Sequence, residues 1–96
     1  MDHIENIRMN LSERDLLEQL AEECNELAKA SLKLIRAKGM SRNWTPKTLH
    51  ECEMELKEEI LDVLGVLKIM DKLPPLNTID KYEKLERWSK RLDNGE

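Results

Sequence analysis

Phenylalanine is absent from this 96-residue chain, valine occurs twice and tyrosine once. The residues that fill pleated sheets are therefore scarce, and strands are not expected. Glycine and proline number three each. They place breaks at Gly39, Pro46, Pro74-Pro75 and Gly95, with Gly65 as the exception inside an otherwise regular stretch. The two cysteines, Cys24 and Cys52, stand in no CxxC pair, and an intracellular setting keeps such thiols reduced. The histidines, His3 and His50, do not complete a four-ligand zinc set, since His50 and Cys52 fall on opposite sides of a helix. There is no excess of basic charge: 16 Lys and Arg against 20 Asp and Glu give a net charge of -4. Nucleic acid and anionic membrane would both repel such a chain. No apolar run approaches the roughly 18 residues of a membrane span, and the opening MDHIENIRMN has no signal-peptide core. The expectation is a soluble, cytoplasmic protein with neither nucleic acid nor membrane as partner.

Leucine is plentiful, with 16 residues, and the chain is 40% apolar and 38% charged. That balance suits one all-α domain over residues 1–96. Apolar residues recur at helical spacing in three stretches behind a short amphipathic lead at Ile4, Ile7 and Leu11. The first long helix is expected to start at Ser12, where Ser12-x-x-Asp15 forms a capping box, and to stop at Gly39. A second starts at Thr45 with Pro46 in its first turn, carries the stripe Leu49, Cys52, Leu56, Ile60, Val63, Leu67 and Met70, and ends at Pro74-Pro75. A third starts near Asn77 or Thr78 with Ile79, Tyr82, Leu85, Trp88 and Leu92 on one face. The two long helices form an antiparallel hairpin. So small a chain leaves helix surface uncovered, so the bundle is expected to be completed by homo-oligomerisation, as a dimer or tetramer.

Charge is segregated along the chain. Residues 12–26 hold six acids and one base, residues 27–47 six bases and no acid, and residues 51–62 six acids and one base. Macrodipole matching accounts for the first helix. It does not account for Glu18, Glu22 and Glu26, or for Glu51, Glu55 and Glu59, which repeat at i, i+4, i+8, where like charges repel. Two such stripes call for counter-charge. Glu23 lies on the line of Leu16, Leu20, Leu27 and Leu34, inside the apolar stripe, where an unpaired buried carboxylate is costly.

In an antiparallel hairpin turning between Arg42 and Asn43, levels match where residue numbers sum to about 85. Glu23 then faces Asp62 and Glu26 faces Glu59, so four carboxylates meet at one height. A hard, oxygen-preferring divalent cation, Mg²⁺ or Mn²⁺, stabilises such a group. Gly65, mid-helix and opposite Leu20 in this register, serves close helix approach or leaves room for a ligand.

Glu22-Glu23-Cys24-Asn25-Glu26 and Glu58-Glu59-Ile60-Leu61-Asp62 resemble the ExxE and ExxD motifs of the all-α nucleoside triphosphate pyrophosphohydrolases. EECNELAKASLKLIRA, Asn43-x-Thr45-Pro46 and LKEEILDVL are together similar to the small MazG-like proteins of phages and prophages, over about residues 15–71. The resemblance implies that Glu23, Glu26, Glu59 and Asp62 bind Mg²⁺. It also implies that a metal-activated water cleaves a nucleoside triphosphate to the monophosphate and pyrophosphate. Glu22 and Glu58 read as solvated helix-face acids, with support or bridging of the metal as their other role. Lys33, Arg36, Arg42, Asn43 and Trp44 become substrate-binding candidates, Trp44 by stacking on a base or by covering a subunit interface. Trp88 and Tyr82 read as core or interface. The connection between the motifs, 32 residues, is longer than is usual in that family.

The alternative is a non-catalytic helical module of phage origin that binds nucleotides or a protein partner. A di-iron bundle fails, because neither histidine has a glutamate three residues before it. A coiled coil is disfavoured because Glu23 interrupts the seam and no sustained heptad repeat is read.

Overall fold

The computed structural model describes residues 2–95. It contains α1 (His3–Asn10), α2 (Glu13–Ala37), α3 (Leu49–Ile69), α4 (Leu76–Asp80) and α5 (Glu83–Asp93), and no strand among the described residues. The all-helical expectation holds, and the two long helices, α2 and α3, pack on each other.

Local chemistry sets the ends of α2. Ser12 accepts from the Asp15 amide, and the Asp15 carboxylate accepts from the Ser12 amide at 2.9 Å, a complete capping box. At the other end Gly39 takes φ 71° and Met40 N–H donates to the Ile35 carbonyl, so the helix stops where a left-handed residue is tolerated.

Both ends of α3 differ from expectation. The cap is Thr48 rather than Thr45: its hydroxyl accepts from the Glu51 amide at 3.1 Å. Thr45 and Thr48 carry the same capping group, but only Thr48 has glutamate three residues on. Thr45 and Pro46 stay in the connection, where Thr45 is buried. At the far end α3 stops at Ile69, ahead of the two prolines. Asp71 takes φ 58°, and Lys72 N–H reaches back to the Leu67 carbonyl. The guanidinium of Arg8, from α1, donates to the carbonyls of Ile69 (2.7 Å) and Lys68 (2.8 Å). This placement of a cation at a helix C-terminus had no signature in the sequence.

The inward-facing positions of α2 are Leu16, Leu20, Glu23, Leu27, Ala30, Leu34 and Ala37. Those of α3 are Cys52, Leu56, Glu59, Val63, Val66 and Met70. Both series alternate in steps of four and three, so a heptad seam is sustained, contrary to the sequence reading. One glutamate interrupts it on each helix, Glu23 on α2 and Glu59 on α3. The α3 stripe is likewise corrected: Ile60 and Leu49 are exposed, and Glu59 occupies the inward position beside Ile60.

The third helical stretch is broken. Tyr82 adopts an extended backbone between α4 and α5, so the expected continuous face is two short pieces. Tyr82, Leu85, Trp88 and Leu92 are exposed and fill no core within the chain. Gly65 is exposed too, and a Cβ built on it meets nothing within 4 Å, so it does not serve close approach of α2 and α3.

Candidate metal centre

The seam divides the hairpin surface into two faces. In an antiparallel pair, residues that follow seam positions by one lie on the same side of both helices. Leu17, Ala21, Cys24, Ala28 and Ile35 on α2, with Ile60 and Leu64 on α3, are such residues, and all are exposed. Residues that precede seam positions by one form the opposite face: Glu22, Glu26 and Lys33 on α2, and Glu51, Glu55, Glu58 and Asp62 on α3. One face is mostly apolar, interrupted on α3 by Glu53 and Lys57, and the other carries most of the acids.

Where the acidic face meets the two seam glutamates, three carboxylates converge. One oxygen each from Glu23, Glu59 and Asp62 lies within 4.8 Å of the others. Glu23 and Glu59 are half-buried, and Asp62 is exposed at the mouth. Glu23 accepts from Gln19 Nε2 at 2.7 Å. Glu59 Oε2 is out of contact with solvent and has no hydrogen-bond partner among the described residues. Desolvation, followed by the charges of Asp62, Glu23, Glu26 and Glu55, holds the Glu59 carboxyl above its ordinary range. Glu59 thus combines an orphaned oxygen with four acidic neighbours.

Glu26 lies one turn from Glu23, and its charge reaches Glu59, but its carboxylate is directed to Lys29 at 3.5 Å. The structure therefore brings together three of the four acids singled out from the sequence. Glu22 and Glu58 are exposed on the acidic face.

The repeated acids are less naked than their spacing implies. Arg14 holds Glu18 at 3.1 Å, and Glu55 receives Lys33 and Lys47 at 3.0 and 2.9 Å. Arg14 thus serves Glu18, and Lys29, Lys33 and Lys47 of the basic block serve Glu26 and Glu55, while Glu59 and Asp62 have no cation partner among the described residues. Of the substrate-binding candidates, Lys33 is tied to Glu55 and Arg36 is half-buried. Arg42, Asn43 and Trp44 sit on the exposed connection, Trp44 with 82% of its surface in solvent. Lys47 was missed by sequence reasoning, because its pairing crosses from the connection to α3.

Comparison with family models, curated proteins and solved structures finds no match. The geometry is therefore read on its own chemistry. The donor set is all carboxylate oxygen, which suits Mg²⁺ or Mn²⁺ and not a soft metal. No described helix is long and apolar enough to cross a membrane.

Proposed function

We propose that the chain is a divalent-metal-dependent nucleoside triphosphate pyrophosphohydrolase, with Glu23, Glu59 and Asp62 as metal ligands and Glu26 completing the set. One observation carries the reading: Glu59, with an orphaned, desolvated oxygen, stands in a cluster of like charges, an arrangement that a hard cation converts from repulsive to favourable. The MazG-like motif resemblance, which places its metal acids at these positions, supplies the reaction. Bound there, Mg²⁺ or Mn²⁺ neutralises phosphate charge and lowers the pKa of a coordinated water. The chain's own residues do the rest. Glu23 and Glu59 are fixed by the seam, and the Gln19 amide orients Glu23. Asp62 stands at the solvent side, where a nucleotide arrives. Water attacks the α-phosphorus and the α–β anhydride breaks, giving a nucleoside monophosphate and pyrophosphate.

The same reading includes a homo-oligomer formed through the apolar face. The chain exposes 8017 Å², whereas a compact monomer of 11.3 kDa exposes about 5,700 Å². The difference of about 2,300 Å² exceeds the roughly 800 Å² that each partner commits to a standard interface. Cys52 is fully buried within the chain, whereas Cys24 lies on that face, so covering the face shields Cys24. Light scattering should give at least twice the chain mass, and Cys24 should react slowly with a thiol reagent in the native protein. A monomer with a rapidly labelled Cys24 contradicts the interface.

The reaction is tested by pyrophosphate release from canonical and modified nucleoside triphosphates with Mg²⁺ or Mn²⁺, and with EDTA as control. Metal-dependent release from any of them supports the proposal. No release from any, at high enzyme concentration, favours a binding module.

A further inference from the structure

The acidic face changes sign along its length. Its α2 column runs Glu22, Glu26, Lys29, Lys33, Arg36. Because the helices are antiparallel, the basic half of that column lies beside Glu51 and Glu55, and the acidic half beside Glu58 and Asp62. At the basic end a lysine of the α2–α3 connection joins: Lys33 donates to Glu55 Oε1 at 3.0 Å and Lys47 to Glu55 Oε2 at 2.9 Å. The three side chains are 33%, 43% and 24% exposed, so the group is partly sheltered from water. Two ammonium groups share one carboxylate, with Glu51 the next acid whose charge reaches Lys47. Each ammonium has three donors and gives one to Glu55, so four remain.

Glu55 lies four residues before Glu59, about 6 Å along α3. A polyphosphate with one phosphate at the carboxylate cluster can therefore present the next at the lysine pair. We propose that Lys33 and Lys47 form a clamp for phosphate oxygens, and that Glu55 holds their ammonium groups together and yields them to the arriving anion. The nucleotide identity of that anion rests on the pyrophosphohydrolase reading; the clamp itself does not. A purely structural staple, tying the connection to α3, predicts no anion affinity.

Titration calorimetry with inorganic pyrophosphate in EDTA separates the two, since without metal there is no turnover and the carboxylate cluster offers the anion only repulsion. The wild-type chain should bind, and Lys47→Met, which removes one charge-assisted contact at a partly exposed position, should weaken binding about tenfold. Glu55→Gln should bind about threefold tighter, because the competing anion is gone while the lysines remain. Lys90→Met on α5 is the control and should match wild type. No pyrophosphate binding by the wild type, or equal binding by Lys47→Met, overturns the clamp even if Glu55→Gln fails to fold; so does a folded Glu55→Gln that binds no tighter. Metal-dependent pyrophosphate release without these effects leaves the reaction standing and removes the clamp, and the converse holds equally.

Discussion

Glu59 is where stability and the proposed function oppose each other. Its carboxyl is held above the ordinary value of 4.5 by desolvation and by neighbouring acids, so the native state binds this proton more tightly than the unfolded chain does. The stability this contributes is complete below about pH 4.5 and is lost as pH rises through the raised value. Glu59→Gln removes that loss. The metal-free variant should melt higher than wild type at pH 7 and show a flatter dependence of melting temperature on pH above 5, while losing both metal-induced stabilisation and turnover. A metal-free variant that melts lower at pH 7 would show that Glu59 is already satisfied. Asp62 is exposed and packs against little. Asp62→Asn should leave the circular dichroism spectrum and melting temperature unchanged within error and abolish pyrophosphate release; full activity removes Asp62 from the mechanism.

At the scale of the helices, the antiparallel hairpin, the Ser12 capping box and the stop at Gly39 were legible because each rests on residues close in sequence. The register was legible too, since Glu23 and Asp62 meet across the seam as the turn position required. What escaped depended on tertiary competition. Thr45 and Thr48 offer the same hydroxyl, and only the folded connection shows that it is Thr48 whose hydroxyl accepts the cap hydrogen bond. Thr48→Ala should therefore cost about 1 kcal/mol in urea unfolding, with Thr48→Ser recovering most of it. Periodicity placed Ile60 in the α3 stripe because a glutamate is an unexpected seam residue, yet Glu59 is that residue and its displacement of Ile60 builds the site. Gly65 looked like a packing device, but open space surrounds it. Gly65→Ala should stabilise the chain by about 1 kcal/mol through helix propensity alone; a destabilised variant would mean that a partner or ligand presses on this position.

Across the whole molecule, the seam separates a mostly apolar face from an acidic one, so the proposed assembly and the proposed chemistry fall on opposite sides of the hairpin. Ile60 and Glu59 are sequence neighbours that serve those two sides. Ile60→Glu should dissociate the oligomer in light scattering without moving the acid cluster, whereas an unchanged mass would place the interface elsewhere. The radius of gyration, 17.1 Å against about 13 Å for a compact chain of this length, matches the extended hairpin. The central claim is that the carboxylates meeting across the seam form a cation site, and electron paramagnetic resonance with Mn²⁺ tests it most directly. The account predicts loss of the free Mn²⁺ signal up to stoichiometric binding in the wild type, competition by Mg²⁺, and little binding by Glu59→Gln or Asp62→Asn. A wild-type chain that leaves the free signal untouched, or variants that bind as wild type does, would contradict it.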